Sequence, residues 1–195
     1  MKPFLSLIKT GLIAIIIIAA LKVTGLFGGV SYLAQTVAIK SGALNVNPPS
    51  EKSAETKFDY EFLIKNLQGD KISFDRYKGK VVFLNLWATW CKPCRAEMPG
   101  IQKLYDKMKG ESIEFVMLSI DKDNALAKVE SYVKENNYTI PIFMPSGYLA
   151  DQLHVPSIPT TFVIDKDGKI AMKVVGTRNY DTDKMREYLR KLISK

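Results

Sequence analysis

The chain has 195 residues and a formal net charge of +8, with 47% hydrophobic and 25% charged residues. These proportions are those of a globular protein, and the length allows one ordinary domain plus an appendage. The first fifty residues contain four lysines and no acidic residue, which leaves 24 basic against 20 acidic residues for the remainder. Because basic residues and aromatics do not cluster together, we expect no nucleic-acid binding.

The N-terminal segment is basic first and then apolar. Lys2 and Lys9 precede an unbroken apolar run over residues 11–21, which has the length of a signal-peptide core. If Lys22 is tolerated, the run continues to the roughly 20 residues that a spanning helix needs. Since no small-x-small cleavage site follows closely, we favour a membrane anchor over a cleaved export signal for residues 1–44. The lysines would keep the N-terminus cytoplasmic and place the rest of the chain outside.

A linker and one domain follow. Residues 45–56 are rich in polar residues, Pro and Ser and lack periodicity, which predicts a linker, so the domain spans 57–195. Alternating aromatic residues from Phe58, followed by the Gly69-Asp70 turn, predict an N-terminal strand or hairpin. The apolar, β-branched run 81–87 predicts a buried strand.

The remaining predicted elements alternate between helices and strands. A helix over 93–109, a strand over 113–120 and a helix over 124–136 form a βαβ alternation. A short strand over 140–143, a hairpin of 160–165 with 169–174, and a final helix from Asp181 complete the domain.

The only two cysteines, Cys91 and Cys94, lie where strand 81–87 passes into the next helix. At a helix N-terminus, free N–H groups and the helix dipole favour a thiolate, so we predict Cys91 as the attacking nucleophile. Cys94, one turn later and more buried, would be the resolving partner. With one histidine in the chain, a four-ligand zinc site cannot be assembled without carboxylates. We therefore predict no metal and no cofactor besides a redox-active Cys91–Cys94 disulfide.

The order of these elements is that of an α/β thioredoxin-like fold with a helix-strand insertion in its middle. In the segments GKVVFLNLWATWCKPC (79–94) and IPTTFVID (158–165), the chain resembles the membrane-tethered TlpA/ResA-like thiol-disulfide oxidoreductases of bacterial envelopes. The resemblance covers roughly residues 59 to 195. It implies a central mixed sheet flanked by helices, and a reductant of disulfides in exported proteins, tethered to the inner membrane and facing the periplasm.

The resemblance also suggests how the proton of Cys94 is handled. Thioredoxins carry a buried Asp where this chain has Asn85, and an amide cannot accept a proton. The ResA-like pattern places an active-site glutamate at Glu97, one helical turn after Cys94. We expect Glu97 to handle the proton, against the alternative of an ordinary solvated helix residue.

Further residues are expected to contact substrate. The superfamily resemblance implies a cis peptide bond between Ile158 and Pro159, where Ile158 would offer a backbone edge to a substrate segment. We expect Trp90 to be partly exposed beside the cysteines, and Pro93 to begin the helix and tune the redox pair. The expected partners are protein disulfides and a membrane electron donor.

Two other functions remain open from the sequence. A peroxidase of the peroxiredoxin kind predicts a Thr three residues before its cysteine, whereas Thr89 lies two residues before Cys91. A non-enzymatic copper metallochaperone of similar fold spaces its cysteines by three residues. The direction of electron flow depends on the reduction potential, which the sequence does not give.

Overall fold

The structure is a computed structural model that describes residues 12–13, 15–16, 18–20, 27–49 and 56–195. Its strands are β1 (Leu63–Asn66), β2 (Lys71–Ser73), β3 (Val81–Trp87), β4 (Ile113–Ser119), β5 (Ile142–Pro145), β6 (Thr160–Ile164) and β7 (Ile170–Val175). Its helices are α1 (Phe27–Lys40), α2 (Lys92–Lys107), α3 (Leu126–Glu135) and α4 (Asp183–Ile193). Short 3₁₀ turns lie at Phe74–Tyr77, Asp123–Ala125 and Asp151–Leu153.

One seven-stranded mixed sheet organises the domain, in the order β2-β1-β5-β4-β3-β6-β7. The apolar strand β3 is wholly buried, pairs parallel with β4 and pairs antiparallel with β6. Parallel strands need a crossover, and α2 supplies it between β3 and β4. The insertion, α3 followed by β5, adds a second parallel neighbour to β4. The predicted thioredoxin-like α/β fold with a mixed sheet is confirmed.

The two faces of the sheet are covered differently. The large buried apolar residues of α2, α3 and α4 belong to one apolar cluster, together with alternate residues of β3 such as Phe83 and Trp87. The other cluster contains the intervening β3 residues and is closed by aromatic side chains from the segment before β1 and from the first 3₁₀ turn, namely Phe58, Tyr60, Phe62, Phe74 and Tyr77. The loop that follows the carboxyl end of β3 therefore lies on the face of the sheet that the helices cover.

The N-terminal part contacts the domain. Helix α1 packs against α2, and Val46, within the predicted linker, is 2% exposed and belongs to the cluster beneath the helices. Residues 50–55 of that linker lie outside the described residues, as does much of the predicted anchor. Among the described residues, no helix combines the length and apolar character needed to cross a bilayer. The anchor therefore stays a prediction.

Candidate active site

The cysteines form a disulfide at the start of α2. Cys91 is the N-cap of this helix and has an extended backbone, and its Sγ accepts the Cys94 N–H at 3.2 Å. Pro93 lies in the first helical turn, where its missing N–H costs no hydrogen bond. Cys94 is fully buried and Cys91 is 5% exposed. A Cys91 thiolate would therefore face the positive end of the helix dipole.

A buried carboxylate fixes the loop that leads into Cys91. Asp121, just after β4, accepts hydrogen bonds from the Thr89 N–H at 2.8 Å and the Thr89 hydroxyl at 2.7 Å. The Ser119 hydroxyl also donates to it at 2.7 Å. Because β3 and β4 are parallel, their carboxyl ends meet at one edge of the sheet, and this network joins them. These hydrogen bonds hold the backbone at Thr89, two residues before Cys91.

Glu97 lies one turn after Cys94 and is 1% exposed. Its Oε1 accepts a hydrogen bond from Asn85 Nδ2 at 2.8 Å, and its Oε2 accepts one from the Arg178 N–H at 3.0 Å. Burial raises the pKa of Glu97 to about 8, although the Arg178 N–H, the Asn85 amide and the Arg178 charge all act to lower it. At neutral pH this carboxyl group therefore holds a proton most of the time.

The Glu97 carboxyl group belongs to a buried polar patch beneath α2. Asn85 is the register partner of Thr161 across β3 and β6, and its Nδ2 also donates to Thr161 Oγ1 at 2.9 Å. Burial, and then the nearby charge of Glu97, raise the pKa of Tyr180 well above its ordinary value. The patch replaces the acid that thioredoxins place at position 85 with a carboxyl group from the helix.

The Ile158–Pro159 peptide bond is cis and lies beside the cysteines, as the resemblance implies. The Cys91 Sγ is 3.8 Å from the Ile158 carbonyl oxygen. The Trp90 side chain, immediately before Cys91, is 60% exposed, whereas Trp87 is fully buried. The Cys91 sulfur therefore lies close to the backbone that precedes the cis proline, and the residue before Cys91 carries an exposed indole.

The comparisons with known proteins agree with this geometry. Residues 57–173 match the AhpC/TSA family. The thiol-disulfide oxidoreductase ResA of Bacillus thuringiensis subsp. konkukian is 38% identical over 132 residues, which are 67% of this chain and 74% of the relative. The chain belongs to the AhpC/TSA family, among its ResA-like thiol-disulfide oxidoreductases.

Solved structures give the same assignment. The crystal structure of StoA from Bacillus subtilis is 28% identical, with a TM-score of 0.53, covering 69% of this chain and 96% of that one. A thiol:disulfide interchange protein of the thioredoxin family from Chlorobium tepidum is 26% identical, with a TM-score of 0.56, covering 72% and 99%. This ResA-like protein is thus a thiol-disulfide oxidoreductase, and its cysteine pair forms a disulfide in the structure.

The structure brings the predicted residues of this ResA-like protein together, because Trp90 immediately precedes Cys91, Pro93 and Glu97 lie on α2, and Ile158 contacts Cys91. Sequence reasoning missed three other contributors, which are Thr161, Asp121 and Arg178. The first two carried a usable signal, since a polar residue two positions after a cis proline and an acid at the end of a parallel strand both point to the site. Arg178 carried none, because it lies 81 positions from Glu97 along the chain and its hydrogen bond to Glu97 comes from its backbone N–H.

Proposed function

We propose that this oxidoreductase reduces disulfides of exported proteins and that Glu97 accepts the proton of Cys94. The observation that carries the proposal is the burial of Glu97, one turn after a buried Cys94, with a pKa raised to about 8 in the oxidised protein. An ordinary cysteine has a pKa of about 8.5, so proton transfer between the two groups is close to balanced. A solvated helix glutamate would be far too acidic for this role.

The reaction would proceed in two exchange steps. The Cys91 thiolate attacks one sulfur of the substrate disulfide, forming a mixed disulfide and releasing the other sulfur as a thiolate, which takes up a proton. Cys94 then transfers its proton to Glu97 and attacks Cys91 Sγ, which releases the second substrate sulfur. The substrate gains two electrons, and the protein is left with its internal disulfide and a protonated Glu97. This end state agrees with the raised pKa of the oxidised form.

The substrate would bind across the exposed side of the cysteine pair. The Trp90 indole offers an apolar surface beside Cys91, and the backbone of Ile158 before the cis Pro159 offers hydrogen-bonding groups to an extended segment. Pro93 is half-buried and shapes the surface between the two sulfurs. Backbone pairing of this kind suits protein substrates of varied sequence.

The direction of electron flow is tested by the reduction potential of the Cys91–Cys94 pair. We expect a value near that of thioredoxin, about −270 mV, which suits a reductant. Equilibration of the full chain with glutathione buffers of graded ratio, read by alkylation of the free thiols, would measure it. A potential near −120 mV would instead indicate an oxidant and would overturn the proposed direction.

We further propose that the protein is anchored in the bacterial inner membrane, with the domain in the periplasm and a membrane protein as electron donor. The support is the basic and then apolar N-terminal segment, whose described residues Ile13, Ile15 and Ile16 are exposed apolar side chains on helical backbone. The full chain, expressed in a bacterium, should sediment with the membranes and resist a carbonate wash. Recovery of the intact chain in the soluble fraction would contradict the anchor.

A further inference from the structure

The loop of residues 176–179, which follows β7, contacts the redox site at three points. The Gly176 N–H donates to the Pro159 carbonyl at 2.8 Å, on the cis-proline side. The Thr177 hydroxyl lies 3.3 Å from the Pro93 carbonyl, between the cysteines in sequence. The Arg178 N–H donates to Glu97, as described above. The loop therefore closes the buried polar patch from outside.

The same loop is held from its other side by the N-terminal part of the chain. The Thr177 hydroxyl lies 2.9 Å from Gln35 Oε1 of α1, so it can donate to Gln35 as well as to the Pro93 carbonyl. At the far end of the loop, the Asn179 N–H donates to the Leu44 carbonyl at 2.8 Å, and Asn179 Nδ2 donates to Asn45 Oδ1 at 2.7 Å. The Val46 N–H returns a hydrogen bond to the Asn179 carbonyl at 3.0 Å.

One partner in this contact, formed by α1 and residues 44–46, lies outside the part of the chain that matches the family model. The match covers residues 57–173, and both of these segments precede it. Thr177 is nevertheless 7% exposed, and its hydroxyl reaches both α1 and the first turn of α2. The contact therefore joins a segment that precedes the family match to the redox site.

We propose that α1 and residues 44–46 form a clasp that holds the 176–179 loop closed over Glu97, and so keep water away from the group that accepts the Cys94 proton. The consequence for catalysis rests on the function proposed above for Glu97, but the clasp itself does not. Gln35, Thr177 and Asn179 are positioning residues in this scheme, since they act on the site only through the loop.

Exclusion of water is the main control on the pKa of the Glu97 carboxyl group. Burial is the largest cause of its raised pKa, and it outweighs the hydrogen bonds that act in the opposite direction. When the clasp is released, water enters first where the loop covers the carboxyl group. Because the effect of burial is then weaker, the pKa of Glu97 should fall from about 8 toward its ordinary value of 4.5.

The test is a titration of the Glu97 side-chain carbon by NMR, in the oxidised full chain in detergent micelles with ¹³C-labelled glutamate. The Glu97→Gln variant assigns the resonance. We expect Thr177→Val and Gln35→Ala each to lower the midpoint by at least about half a pH unit. Thr177→Ser keeps the hydroxyl and should restore the wild-type midpoint.

Thr36→Val is the matched control, because it removes a hydroxyl from the same helix that bonds the Tyr32 carbonyl within α1. It should leave the Glu97 midpoint unchanged. Gln35 lies outside the matched domain, so its variant keeps the test valid if Thr177→Val fails to fold. An unchanged or higher midpoint in Gln35→Ala would overturn the clasp. Failure of the proposed function would show separately, as an exchange rate that does not depend on Glu97.

Discussion

Replacing Glu97 by Gln should slow the second exchange step about 100-fold and leave the first step unchanged. Glutamine preserves the size of the buried side chain but cannot accept the Cys94 proton, and general base catalysis contributes about 10² to 10⁴ in rate. The chromogenic disulfide of 5-thio-2-nitrobenzoate separates the two steps. One equivalent of coloured thiolate appears when Cys91 attacks and the other when Cys94 resolves the mixed disulfide. In stopped-flow records of the reduced protein, only the second phase should change.

The pH dependence of that second phase provides an independent check. Glu97 accepts a proton only when ionised, so the wild-type rate should rise with pH through a midpoint near 8. The rise in rate around this midpoint should be absent in Glu97→Gln. Asp106→Asn, an exposed substitution on the same helix, serves as the control and should leave both phases as in the wild type. A second phase of wild-type speed in Glu97→Gln would remove Glu97 from the mechanism.

The central strands and helices follow from local sequence because their signals are local. The bounds of β3 agree with the prediction, since a strand buried on both faces must be apolar along its whole length. Helix α2 begins beside Pro93 and ends near Gly110, within two residues of the predicted 93–109. A helix N-terminus that carries both cysteines could therefore be predicted from sequence.

The edges of the sheet were harder to predict. Phe58, Tyr60 and Phe62 alternate as a strand would and are all buried, yet β1 begins only at Leu63. The alternation reflects an extended segment whose aromatic side chains cover the sheet, and periodicity does not distinguish that from a paired strand. Strand β5 begins two residues later than predicted, and its last residues pair with β1, a distant partner that local pattern does not identify.

The environment of Glu97 is the clearest case of information that sequence spacing lacks. Three-residue spacing places Glu97 on the same helix face as Cys94, but it says nothing about burial. The structure supplies the missing facts, since Asn85 lies 12 residues away and Arg178 lies 81 residues away along the chain. The proton chemistry proposed for Glu97 thus depends on contacts that only the folded chain creates.

The same burial should make the folded wild-type protein less stable as the pH rises, which is the opposite of the usual effect of a glutamate. The folded pKa of Glu97, about 8, lies above the unfolded value of 4.5, so the folded state binds the proton more tightly. The resulting stability is fully present below pH 4.5 and is lost as the pH rises toward 8, because folding then requires burial of a charge or uptake of a proton. The loss attributable to Glu97 should reach a few kcal/mol, and at most about 5 kcal/mol.

Glu97→Gln isolates this effect, because glutamine does not titrate while the other ionisable groups remain. In urea unfolding of the oxidised full chain in detergent, the variant should gain stability relative to the wild type between pH 5 and pH 9. Asp106→Asn should follow the wild type across the same range. A constant difference between Glu97→Gln and the wild type would mean that the folded protein does not perturb this carboxyl group. The absence of that pH dependence would also remove the basis for a proton acceptor matched to Cys94, so one measurement joins the stability of the fold to its redox chemistry.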